Sequence, residues 1–497
     1  MTRKKINYNY FYIFLILAAS AVIFNACEQD FGVEDDGGTT SFPDDIKTVF
    51  STTYNSTPNT CTNSFCHSSE TRAGGLDLVN WNNMMAGSNN GTMVIPGNSF
   101  WSHLVSVVNS DTNLSPVSTI LTDLHKMTPD KVNTIINWIN SGAKRKDGTE
   151  VSQSYGTKCF ITNQAADVVS VINTSSNLVT RMIPVGGRTS QLDAPHYANV
   201  DPQQQSLYIS LIQEGYVERY NVSNYQQTGR LAVGNNPAHI VISPDNNFIY
   251  VTNFDASGTE RRVKKISTAG TMSVVDTATA VQMNAPHGMA MTNDGEFIYV
   301  ASQIGEWLFK IRTSDMEIVE NAAVAFDVPP SGGGTGKYRP YQCVLSPDNT
   351  KLFVTCVGIA GNTAPDFVKV YNANDLSLIT SIQVGDNPLL MKLSRNNQYL
   401  FVCNKNDSTV TVLNPNTYAV VKTFQDVGIQ PHGVDFSSDG LYAYIACETQ
   451  SGQDGHHPTV GSINVGVTRV INMSDLSLSS KKIEMGSFPA GIVAIPY

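Results

Sequence analysis

The chain has 497 residues, 41% of them hydrophobic and 15% charged, with a formal net charge of −10 at pH 7. That length allows two or more domains. The acidic balance, with no basic block along the chain, argues against nucleic acid as a partner.

The N-terminus reads as a targeting segment. Arg3, Lys4 and Lys5 precede an apolar run from about Tyr10 to Phe24, and Ala26 stands before Cys27. The run is short for a membrane span and ends at a small residue. Residues 1–26 resemble a bacterial lipoprotein signal peptide, which implies lipidation of Cys27. Phe24 departs from the aliphatic residue such signals carry three positions before the cysteine. An ordinary secretory signal or an uncleaved anchor are the alternatives, and all three place the remainder outside the cytoplasm. Residues 27–43 are polar and acidic (Glu28, Asp30, Glu34, Asp35, Asp36) and read as a flexible tether. Acidic residues after the cysteine also resemble the surface-export signals of Bacteroidetes lipoproteins. The resemblance implies a cell-envelope protein, anchored by lipid to the outer membrane and facing the periplasm or the surface.

Cys61-Thr-Asn-Ser-Phe-Cys66-His67 carries the sharpest chemistry. Two cysteines with a histidine directly after the second is the order that attaches haem c: two thioethers to the vinyl groups, and the adjacent imidazole on the iron. The usual spacing is C-x-x-C-H, and here four residues separate the cysteines. A longer loop can bulge without moving the Cys66-His67 pair. The alternative is a short-loop disulfide beside an exposed His67. A zinc site would call for a second ligand pair, which the neighbourhood lacks.

Helical signals follow. Gly74-Gly75-Leu76-Asp77-Leu78 leads to a short helix around Trp81 to Ala86. Val94 to Ser99 reads as a turn into a helix whose Phe100, Leu104, Val107 and Val108 share one face. A last helix is predicted with Thr128 as N-cap, Pro129 at its first position, and a stripe of Val132, Ile135, Ile136 and Ile139 ended by Gly142. This layout, residues 44–148, resembles the small, mainly α cytochrome c-like domains of planctomycete and Bacteroidetes proteins. The matching residues are Gly74 to Leu78, Pro96 to Leu104, Met127, and Ile135 to Ala143. The resemblance implies one haem c per chain, held by Cys61 and Cys66 with His67 as proximal iron ligand. Met127 is the expected distal ligand, since a thioether opposite histidine raises the potential and suits electron transfer. The family sets its methionine several residues before the last helix, whereas Met127 abuts the helix cap. His125 and His103 are the alternatives.

Residues 155–497 carry a repeat of about 40 to 50 residues. A proline-led strand recurs at Pro195, Pro237, Pro286, Pro340, Pro388, Pro431 and Pro489. A turn and a β-rich strand follow the first six, as in Ile249-Tyr250-Val251-Thr252-Asn253. The segment enters on a second-strand element, Cys159 to Asn163, and ends on a proline-led strand, Phe488 to Ile495. Each completes the other, which predicts a closed all-β ring of seven four-stranded blades. The Tyr-Val-Thr-Asn core resembles the YVTN-repeat β-propellers. Cys159, Cys343, Cys356, Cys403 and Cys447 fall at strand positions and read as buried free thiols.

His196, His287 and His432 directly follow the proline in blades two, four and seven, and His239 sits one residue later in blade three. Innermost strands line a propeller's channel, so these four are candidates for a second metal or a substrate site at the propeller mouth. The alternative is structural polar residues, and the aligned trio is not on neighbouring blades, which argues against one ion reaching all three. His456-His457 reads as a solvated loop.

Taken together, these features point to a lipid-anchored extracytoplasmic haem protein. Electrons would pass through the haem domain to a redox partner protein, with the propeller docking a protein or a small molecule. Whether it is an enzyme, as an oxidoreductase component, stays open. A non-enzymatic surface-binding propeller and a lactonase-like hydrolase are the alternatives. No G-x-S-x-G, H-E-x-x-H or P-loop pattern supports hydrolase or nucleotide chemistry.

Overall fold

The computed structural model describes residues 41–52, 60–116, 125–151, 156–358, 366–448, 458, 461–462 and 464–495. The signal-like segment, Cys27 and His456-His457 lie outside the described residues.

Among the described residues from 158 onward, 28 strands form seven four-stranded antiparallel sheets. The fold is an all-β, seven-bladed propeller. β1 (Lys158–Asn163), β2 (Val168–Asn173) and β3 (Leu178–Pro184) share a sheet with β28 (Pro489–Ile495). Cys159 pairs with Ala494 and Phe160 with Val493, so the first and last strands close the ring. The stagger in the sequence is this closure.

The proline-led strands are the innermost ones. β4 (Pro195–Val200), β8 (Pro237–Ile242), β12 (Pro286–Met291), β16 (Pro340–Leu345), β20 (Pro388–Leu393), β24 (Pro431–Phe436) and β28 neighbour one another around the axis. The residue before each proline is left-handed and never glycine: Ala194, Asn236, Ala285, Arg339, Asn387, Gln430 and Phe488, with φ between 39° and 59°. Proline already disfavours the right-handed helical region for its predecessor. The kink recurs in every blade where the chain turns in towards the axis.

Four of the inner strands, β8, β12, β16 and β24, end in a turn built by their own side chains. Ser243 Oγ donates to Asp245 Oδ1 (2.6 Å), which accepts Asn247 N–H (3.0 Å). Thr292–Asp294, Ser346–Asp348 and Ser437–Asp439 repeat the hydroxyl–carboxylate contact. Such Asx-type turns fix the register of the pair that follows. The second strands are buried on both faces, as in Phe248–Asn253 and Lys351–Cys356, which is why they read as unbroken apolar runs. Glycine after histidine has a steric cause. A Cβ on Gly288 would stand 2.4 Å from Gln342 Cα, and one on Gly433 2.2 Å from Ala490 O, inside the next blade's backbone. The five propeller cysteines are buried free thiols.

The preceding segment is helical. α1 (Asp44–Ser51), α2 (Trp81–Met85), α3 (His103–Val108) and α4 (Pro129–Asn140) enclose a core of their own, with Ile46, Phe50, Met84, Leu104, Ile135 and Ile139 at its centre. Thr128 precedes α4 but its side chain makes no cap hydrogen bond; Pro129 and Asp130 supply the expected start. The predicted helix through Phe100 begins three residues later, at His103, because Asn98 and Ser99 hold a turn there. Asn80 caps α2 by accepting Asn82 N–H at 2.8 Å.

This segment docks on the outer strands of blades seven and one. Asn89 and Asn90 carbonyls accept Lys482 and Glu484 N–H groups (3.3 and 3.2 Å), and Thr92 Oγ1 donates to Val179 O (2.9 Å). Ile95 joins the apolar cluster of those two blades beside Tyr444, Ile483 and Met485.

Candidate functional site

Two constellations stand out. In the helical segment, Cys61, Cys66 and His67 lie on a loop tied to itself and to α1. Cys61 N–H donates to Phe50 O (3.1 Å), His67 N–H to Cys61 O (3.0 Å) and Ala73 N–H to Cys66 O (2.9 Å). Both thiols are free and half-buried. Burial pushes the Cys61 thiol up to about 11. His67 Nδ1 lies 3.0 Å from Ala73 O. A hydrogen bond there puts the proton on Nδ1 and leaves Nε2 as the ligand atom. Burial, and then the neighbouring His125, hold His67 below the ordinary imidazole value.

His125 faces this ring, with centroids 6.2 Å apart. Met127 packs against the helical core instead, its N–H on Val108 O at 2.8 Å. His103 belongs to neither group: its Nδ1 is 2.8 Å from Glu484 Oε2, across the contact with blade seven.

The second constellation fills the propeller channel. His196, His239 and His287 come from consecutive blades, and one ligand atom from each lies within 4.8 Å of the others. His196 Nε2 and His287 Nε2 are 3.3 Å apart. All three are buried. Burial, helped by His432, pulls His239 down to about 3, so it is neutral at physiological pH. His432 adjoins this cluster but has partners of its own. Its ring centroid is 6.1 Å from that of His196, and its Nε2 is 3.3 Å from the Tyr341 hydroxyl. Its Nδ1 is 2.7 Å from Glu448 Oε1, and Glu448 Oε2 pairs with Lys405 Nζ at 2.8 Å. Burial lowers the His432 pKa despite Glu448. His432 thus bridges Tyr341 and Glu448, and Glu448 in turn pairs with Lys405. Of the four channel histidines the sequence puts forward, those of blades two, three and four bring their ligand atoms together, while His432 of blade seven adjoins them with partners of its own in Tyr341 and Glu448.

The hydroxyl of the second strand aims these rings. Thr252 Oγ1 accepts His239 N–H (3.0 Å) and donates to His287 O (2.6 Å). Thr162 does the same between Gly491 and His196, Ser210 between Tyr197 and Ala238, and Thr355 between Gln342 and Leu389. Each hydroxyl stitches one inner strand to the next. Tyr197 stacks on His239 at 4.1 Å, and Tyr341 lies 4.0 Å from His287.

Tyr197, Tyr341, Lys405 and Glu448 were not singled out from the sequence. For the last two a signal existed. The residue one past the second strand is Gln164, Ile212, Phe254, Gln303, Val357, Lys405 or Glu448 in successive blades, so two charges of opposite sign occupy an otherwise neutral repeat position.

Comparison with known proteins fits this division. The family model of planctomycete cytochrome C matches residues 64–115, a stretch with Cys66 and His67 that begins after Cys61, and it suggests haem binding. A search of curated proteins finds no match. Among solved structures, a functionally unknown protein from Desulfotomaculum acetoxidans aligns with a TM-score of 0.52 at 13% identity, covering 69% of this chain and 99% of its own. A candidate 6-phosphogluconolactonase from Bacteroides fragilis gives 0.52 and 13%, covering 70% and 100%. The periplasmic gluconolactonase of Pseudomonas aeruginosa gives 0.52 and 15%, covering 68% and 99%. At such identities the likeness is one of fold: the chain carries a seven-bladed propeller behind a segment similar to planctomycete cytochrome C.

Proposed function

We propose that the chain is an extracytoplasmic c-type haem protein that transfers electrons, with the propeller as its docking or substrate-binding module. The observation that carries this reading is the Cys61–Cys66–His67 loop, whose histidine is held through Nδ1 by Ala73 O and has the ring of His125 as a neighbour. The donor set fits haem c: two free thiols, a proximal imidazole and a neighbouring histidine. When bound, the haem supplies a one-electron Fe(III)/Fe(II) couple. Around it, the loop fixes the histidine tautomer, and the core behind Cys61 and Met127 excludes water. On this reading His125 takes the distal position, in preference to Met127. The neighbouring His67 and His125 rings, with centroids 6.2 Å apart, are the pair that would hold the iron.

Lipidation at Cys27, placement in the cell envelope at the outer membrane and a redox partner protein complete the proposal; they rest on the sequence. The test is a pyridine haemochrome assay on mature protein made in a host that attaches haem c. One covalent haem per chain, lost in Cys61→Ala and Cys66→Ala, is the expected result. Colourless protein with Cys61 and Cys66 disulfide-linked would leave a secreted binding propeller. A lactonase reading draws on the names of two proteins of similar fold. It predicts gluconolactone turnover by haem-free protein.

A further inference from the structure

The channel histidines form a cluster that the haem reading does not use. We infer that His196, His239 and His287 hold a single zinc or copper ion on the propeller axis, with His432 outside the ligand set.

Four observations carry this. First, the three imidazoles offer ligand atoms within 4.8 Å of one another, and His196 Nε2 and His287 Nε2 already stand 3.3 Å apart. Two nitrogens each about 2.0–2.1 Å from a tetrahedral ion are about 3.4 Å apart, so that edge is in place and the third ring has at most about 1.4 Å to close. Second, His239 is 1% exposed, and its Nε2 has no hydrogen-bond partner. An orphaned buried nitrogen costs free energy that a metal bond would recover. Third, the rings are set by their surroundings, as a ligand shell needs to be: Tyr197 stacks on His239, Tyr341 lies against His287, and Thr252 ties their two strands. Fourth, Glu448, the carboxylate bonded to the fourth channel histidine, is committed to Lys405 and His432, and the cluster itself is three imidazoles. The donor set is therefore nitrogen alone. Neutral imidazoles suit zinc and copper, while calcium and magnesium ask for oxygen.

Three protein ligands leave a fourth position open for water or a small molecule. The Tyr341 hydroxyl, hydrogen-bonded to His432 Nε2, is the adjacent polar group. The Tyr341–His432–Glu448–Lys405 chain would orient whatever occupies that position, which makes His432 a positioning residue.

The test is metal analysis of the full chain, expressed in medium supplemented with zinc or with copper so that the buried site fills during folding. Iron is counted in the same samples, so failure of haem attachment and failure of this site are read separately. We expect about one equivalent of one ion per chain. His239→Ala should lose it, weakening affinity by at least about 100-fold with iron content unchanged, whereas His432→Gln should retain it. X-ray absorption on the loaded wild type should show three imidazole nitrogens. Wild-type protein without either ion, His239→Ala protein that binds as well as wild type, or fewer than three imidazoles on the ion would each overturn the inference, the first and last irrespective of whether the variant folds.

Discussion

The rings of His67 and His125 face each other at 6.2 Å with their planes inclined by 37°. Met127, two residues further on, packs half-buried against the helical core. We therefore expect bis-histidine ligation. Met127→Leu should leave the visible and near-infrared spectra unchanged, and no sulfur-to-iron charge-transfer band should appear. His125→Ala should open the distal position to added imidazole or carbon monoxide. Spectroelectrochemistry should give a potential below that of a histidine–methionine cytochrome. A charge-transfer band that vanishes in Met127→Leu would restore the methionine ligand.

Much of the molecule was legible because its determinants are local. The seven prolines mark seven inner strands, and the unmatched elements at Cys159 and Phe488 gave the ring closure. Asp130 and Pro129 marked the start of α4, although Thr128 does not cap it. The candidate sites were less legible because they depend on where distant segments meet. His196, His239 and His287 are brought together by three successive blades, while His432, at the same repeat position as His196, is drawn off by Glu448. The pairing of His103 with Glu484 joins residues 381 positions apart, and no periodicity announces it. His67 and His125 face each other through tertiary packing, not sequence spacing.

That pairing gives a second prediction. His103 and Glu484 are 8% and 11% exposed, and His103 Nδ1 approaches Glu484 Oε2 to 2.8 Å across the contact. Glu484→Gln should loosen the helical segment from blade seven more than it unfolds either part. Breaking one half of a buried pair costs several kcal/mol, and partial exposure reduces this to about 1–3 kcal/mol here. Calorimetry should resolve the variant into two transitions, with faster proteolysis between Asp147 and Lys158. A single transition at the wild-type temperature would show that the contact contributes nothing to docking.

Thr252 offers a test of the stitching hydroxyls. It is fully buried and serves both His239 N–H and His287 O. Thr252→Val keeps the shape and removes both bonds, leaving a buried N–H without a partner, at about 1–3 kcal/mol. Thr252→Ser keeps the hydroxyl and should stay within about 1 kcal/mol of wild type. Chemical denaturation distinguishes them. Equal losses for both substitutions would assign the effect to the methyl group's packing.

Asp366 provides the pH dependence. Burial raises its pKa to about 7; Asn387 N–H, donated to Asp366 Oδ2 at 3.0 Å, opposes the rise, and Asp386 and Asp407 add to it. The folded chain thus binds this proton more tightly than the unfolded chain, whose carboxyl titrates near 3.8. Its contribution to stability is fully present below pH 3.8, falls as the pH rises through the folded value near 7, and is flat above it. With the shift discounted for solvent screening, the loss is on the order of 1–2 kcal/mol. Asp366→Asn keeps an acceptor for Asn387 N–H and gains a donor towards Asp386. It should raise stability at pH 8 and flatten the slope between pH 4 and 7. Denaturation curves of both proteins at pH 5 and pH 8 check this. A difference that stays the same at the two pH values would remove Asp366 as the titrating group.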